Sequence, residues 1–225
     1  MANENAHRHT RTIALIAIPS LISLAVTFLR LTGELLNWST VLFNPDAGGG
    51  GSIIGITWLA PIFGIYFAMK LSKAGNGPAR AGRAIGLAFL ALVLTVCGIF
   101  VGFAPQVEFP GKTVVGLLLV AASGIIPLVG WPSLFKVQLA YAYAARIPVA
   151  IIMFFAIRGQ WGTHYDVLPP GFPPETGFWP TYLLIGFLPQ MVYWIVFTVV
   201  TGSLFGSISA ALFGRGKQVA QTAGT

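Results

Sequence analysis

The runs IALIAIPSLISLAVTFL, IIGITWLAPIFGIYFAMKL and TVVGLLLVAASGIIPLVG carry almost no charge over the length of a helix, and the chain repeats this pattern from one end to the other. A hydrocarbon layer about 30 Å thick is crossed by roughly 20 helical residues. Inside it no water pairs with the backbone, so only helices and closed barrels satisfy every N–H and C=O. The runs are continuous and do not alternate apolar with polar residues as barrel strands do, which leaves helices. Composition agrees: 56% of the 225 residues are hydrophobic and 8% are charged, against roughly 25% charged in soluble domains. A soluble globular fold is excluded. The expected fold class is an all-α, polytopic membrane helical bundle, with six transmembrane helices in a single membrane domain over residues 1–225.

The pattern predicts helices at about 12–36, 53–72, 81–103, 113–130, 137–158 and 181–213. Outer loops fall at about 37–52, 104–112 and 159–180, and polar tails at 1–11 and 214–225. The first segment has the basic front and apolar body of a signal peptide, and Ser23-Leu24-Ala25 resembles a cleavage site. Its apolar part nevertheless runs on to Leu29, past the 7 to 15 residues of a signal core, so it reads as an uncleaved helix. Gly48 to Gly51 are not followed by Gly-Lys-Ser/Thr, which favours a flexible connection over a phosphate cradle. WPSLFK reads as a tight turn before the fifth helix, and Cys97 as a small hydrophobe packed within the third.

The formal net charge is +7. The basic residues are spread along the ends of apolar segments and form no single patch, so orientation explains them and nucleic acid does not. With the N-terminus inside, Arg8, Arg11, Lys70, Lys73, Arg80, Arg83, Lys136, Arg215 and Lys217 fall on the inner side, and Lys112 and Arg158 on the outer. Both termini are therefore expected to be cytoplasmic, in a plasma or bacterial inner membrane.

Arg146 interrupts the fifth apolar segment near its middle. Centre placement of an arginine costs about 2.5–3.5 kcal/mol on insertion scales, so such a residue is a candidate functional site. Tyr143 is a helical neighbour. Pro148 frees carbonyls near residues 144 and 145, which gives the arginine a structural alternative as a clasp within the bundle. Arg30 and Glu34, one turn apart near the outer boundary, are expected to form a local surface pair; the alternative turns one of them inward to share a polar cavity with Arg146.

The last outer loop contains Trp161, His164, Tyr165 and Asp166. Two potential ligands do not make a metal site, and aromatic residues at this depth suit an interfacial belt or a partner surface. Since Arg146 lies some 15 Å deeper on this reading, joint action with His164 and Asp166 on one substrate atom is not expected. Small residues recur every fourth position at Gly82 and Gly86, at Gly98 and Gly102, and along Gly202, Gly206, Ala210 and Gly214. Such stripes admit close helix contact, within the bundle, in a homo-oligomer or with a membrane-protein partner.

No HExxH, CxxC, paired carboxylates or nucleophile–base pattern occurs, and no cofactor is implied. The leading expectation is a noncatalytic accessory, assembly or partner-binding component of the lipid bilayer. The alternative is a transporter of a small solute, anion or proton that uses Arg146.

Overall fold

A computed structural model describes residues 2–214, with side chains from Thr12 onward. The side chains of Arg8 and Arg11, and the tail carrying Arg215 and Lys217, lie outside the described residues. Among those described, the regular structure is helical throughout: α1 (Ala2–Leu35), α2 (Leu59–Lys73), α3 (Ala81–Phe103), α4 (Lys112–Gly130), α5 (Pro132–Gly159) and α6 (Phe178–Phe213). Five are long and apolar enough to cross a membrane, namely Thr12–Leu35 of α1 together with α3, α4, α5 and α6.

The remaining helix, α2, departs from expectation. It has 15 residues, which at 1.5 Å each is about 22 Å, short of a hydrocarbon core. Pro61 explains the late start. Its ring clashes with helical backbone four residues earlier and fits best in a first turn, and the α-helix begins at Leu59 after a 3-10 turn, Ile56–Trp58. The mirror case is α5, which starts at Pro132 and not after WPSLFK: proline at the first helical position is already set for the helix. Trp131, just before it, donates its indole N–H to the Asn76 carbonyl at 2.8 Å.

Pro189 leaves a different mark. It has no N–H to continue the ladder, and α6 widens into π-helical turns at Tyr182–Phe187 and Pro189–Tyr193 before resuming α geometry at Trp194.

The small residues explain how the helices meet. Gly98 and Gly102 of α3 abut Gly116 of α4, where a Cβ would lie 2.6 Å from the Gly102 Cα. A Thr95–Ser123 hydroxyl pair at 2.7 Å fastens the same two helices. Gly202 and Gly206 of α6 receive α2 at Gly64 and Ala68. Gly82 and Gly86 face open space, and Cys97 is exposed on α3 in place of the packed position expected for it. The core beside α2 is aromatic: Tyr141 packs edge-on against Phe63 and Phe67, at centroid distances of 5.3 and 5.5 Å. α1 is peripheral. It lies mainly on α5, to which Ser23 bonds through the Tyr141 hydroxyl at 2.7 Å.

The connection after α1 is not a loose linker. Phe43 packs on Gly33, which has no Cβ to block the ring, and stacks edge-on with Trp38. The Val41 and Leu42 carbonyls accept from the Ile53 and Ile54 amides, which folds the glycine run back over the end of α1.

Candidate functional site

Arg30 and Glu34 do not form a surface pair. They are 9% and 5% exposed, because the connection after α1 and the loop after α5 close over them. Arg30 Nε donates to Glu34 Oε1 at 2.8 Å, while Nη2 donates to the carbonyls of Asn44 and Gly49 at 3.2 and 3.1 Å. On its other side Glu34 accepts the His164 amide through Oε2 at 2.9 Å. His164 Nδ1 lies 2.6 Å from Oε1, and since a carboxylate only accepts, Nδ1 carries the proton. Glu34 thus ties α1 to the loop after α5, and Arg30 ties it to the connection that follows α1. Gly49, with φ +63°, supplies its carbonyl from the left-handed region that glycine adopts readily, and a Cβ there would collide with Arg30 and His164.

Burial pushes the His164 imidazole below its ordinary pKa, and the nearby Arg30 adds to this, against the opposing hydrogen bond to Glu34. The ring is neutral near pH 7. Tyr165 packs on it at a tilt of 43°, with a centroid distance of 3.8 Å, and donates its hydroxyl to the Thr27 carbonyl at 3.4 Å. Burial raises the Tyr165 phenol, which stays protonated as a donor.

Asp166 is occupied elsewhere. It accepts from the amides of Gly162 and Thr163 at 2.9 and 2.8 Å and from the Thr163 hydroxyl at 2.7 Å, which braces its own turn. His164 and Asp166 therefore do not form one acid/base pair. Among the described residues no three of His, Cys, Asp and Glu cluster as metal ligands. Trp161 is 39% exposed. Phe178 packs edge-on against Phe154 of α5 at 5.2 Å, and Trp179 is tilted against the same ring at 6.0 Å.

Arg146 is 4% exposed, fourteen residues after Pro132 and thirteen before Gly159. That puts it about 20 Å from either end of α5. Its guanidinium carbon lies 4.5 Å from the centroid of the Trp194 ring, a cation–π arrangement, and its Nε has no hydrogen-bond partner. Tyr143, one turn before Arg146 on α5, is 42% exposed and does not line the cavity that Arg146 borders.

A cavity of about 520 Å³ connects these parts. Its wall includes Arg30, Gly48 to Gly51 and His164 at the loop end, and Arg146, Gln190 and Trp194 at depth. Arg146 and His164 line one cavity, at depth and in the loop layer respectively, a connection the sequence did not show. α1, α5 and α6 leave one continuous space between the loop layer and the buried arginine, because the connection after α1 folds inward instead of extending.

Gln190 and Trp194 were not legible as site residues. The available signal was Gln190 itself, an amide in an otherwise apolar run directly after Pro189. It is 7% exposed and its carbonyl oxygen has no partner. The π-helical turns there shift it relative to a regular helix, a local feature frequent at functional positions. Comparison with protein families, with functionally characterised proteins and with solved structures found no match for the chain.

Proposed function

We propose that this is a noncatalytic, multi-pass membrane protein that binds a small molecule through an anionic group at Arg146, in a carrier or transport role. One observation carries the reading. A buried guanidinium with an unpartnered Nε, and with no acidic residue bridged to it among the described residues, borders a cavity. A clasp role would have carbonyls of the bundle around that group; an aromatic face and open space surround it instead. Such a cation in low dielectric attracts an anion strongly, and planar oxyanions match its donors. The other cation of the cavity, Arg30, is already paired with Glu34, so the site carries one uncompensated positive charge.

The same proposal takes six crossings with both termini inside. It rests on the distribution of basic residues between the two ends and on the meeting of the loops after α1 and α5 at one end of the bundle. α2 then crosses together with the 3-10 turn that precedes it.

The test is a titration of the purified full chain, in nanodiscs of uncharged lipid, with phosphate and short carboxylates. A ligand at about 100 times its Kd adds about 2.7 kcal/mol of stability. At least one anion should raise the melting temperature saturably in the wild type and fail to do so in Arg146→Gln. If every anion leaves both proteins unchanged, the reading is wrong.

A further inference from the structure

From the shape of the same cavity, and resting on the anion-binding reading above, we infer that the ligand is a single-chain amphiphile, an alkyl carboxylate or alkyl phosphate taken from the bilayer. Three observations lead there. The first is the division of the wall. Polar groups stand at Arg146 and Gln190 and again at the loop end with Arg30 and His164, whereas Val26, Val149, Met153, Leu184 and Ile185 supply an apolar stretch of the wall. A small hydrated anion has no use for that apolar length, but an alkyl chain does.

The second is the way in. α1 and the π-helical part of α6 each pack on α5, yet they make no extended contact with one another. The cavity lies in that gap. Its wall includes Trp58 and Leu184, which are 64% and 56% exposed, so the rim is apolar where it meets the lipid-facing surface.

The third is depth. Arg146 sits near the middle of a helix long enough to span the membrane. A headgroup drawn to it leaves the interface, and the N–H groups of the Arg146 guanidinium, whose Nε has no partner, replace part of its hydration. The volume of about 520 Å³ is within the range of about 300–1,000 Å³ typical of sites for one small ligand.

The experiment measures retention of radiolabelled hexadecanoate by the full chain in nanodiscs of uncharged lipid, with competition by hexadecyl phosphate, hexadecanol, butyrate and inorganic phosphate. Binding of labelled butyrate and labelled phosphate is measured in parallel. The inference expects saturable retention of hexadecanoate, displacement by hexadecyl phosphate, and no displacement by hexadecanol or by a tenfold excess of the short anions. The ratio of the two long-chain affinities then tells whether carboxylate or phosphate is the preferred head. Arg146→Gln should weaken retention about tenfold or more, since it removes charge-assisted hydrogen bonds, and Leu184→Trp should weaken it by obstructing the rim.

Saturable, Arg146-dependent binding of butyrate or phosphate with no preference for the long chain would overturn the amphiphile and leave the anion site standing. Equal competition by hexadecanol, or no saturable binding of any anion, would overturn both. The wild-type ligand series decides between these outcomes even if a variant fails to fold.

Discussion

Glu34 Oε1 lies 2.6 Å from His164 Nδ1, a bond between residues 130 positions apart. The same carboxylate is held by Arg30 Nε at 2.8 Å, so a single buried acid neutralises the guanidinium and fixes the tautomer of the imidazole. This arrangement closes the loop end of the cavity and leaves Arg146 as its uncompensated charge.

Removal of that acid should therefore cost more than a surface pair. Glu34→Ala leaves Arg30 charged and buried with two carbonyls as its remaining partners, and leaves the His164 Nδ1–H unpaired. The expected loss is about 3 kcal/mol, in the range for breaking a buried pair by deleting one partner. Chemical denaturation of the purified variants tests it; Glu34→Ala within about 1 kcal/mol of wild type would argue against a closed latch.

Acidification should act through His164. In the unfolded chain an imidazole titrates near 6.5, and in the fold burial holds it lower. Below that value the unfolded chain binds more protons than the folded one, so stability falls as pH drops from about 6.5 toward the depressed folded pKa. Above 6.5 the contribution is fully present. Melting temperature against pH should show this descent in the wild type, and His164→Asn should flatten it.

Arg146→Met separates binding from stability. A buried cation without an acidic partner is costly to hold, and an apolar side chain of similar length should give equal or higher thermal stability. A drop of several degrees in melting temperature would restore the clasp role. The cation–π partner gives a second check: Trp194→Leu should lower stability by about 0.5–2 kcal/mol with Arg146 still in place.

The glycine stripes divide into two groups. A Cβ at Gly116 would lie 2.6 Å from the Gly102 Cα, so Gly116→Ala forces α3 and α4 apart and should cost about 1–3 kcal/mol. Gly82 and Gly86 have nothing within 4 Å of an added Cβ. There alanine should be neutral or should stabilise by up to about 1 kcal/mol through helix propensity. Thermal unfolding of the three single variants in one detergent would decide.

Long apolar runs made the helical class and five of the membrane-length helices legible from sequence, because in hydrocarbon the backbone has no alternative to satisfying itself along the chain. They also marked Arg146, since a charge at mid-span stands out against its neighbours. Local rules reached the proline effects only in part. Pro61 and Pro132 set where helices start, yet the run of hydrophobicity continues past both, and the apolar pattern alone misplaced the boundaries of α2 and α5. The site depended on contacts that no window of sequence contains. Glu34 meets His164, the Gly49 carbonyl turns to Arg30, and Trp194 slides beneath Arg146 only when α1, α5 and α6 stand together. The sequence by itself determined that a charge would be buried in a helical membrane bundle, through the fixed cost of polar groups in lipid. Tertiary structure decided that this charge faces a cavity and not a carbonyl clasp, because helix packing, and not local preference, sets which side chains share a space.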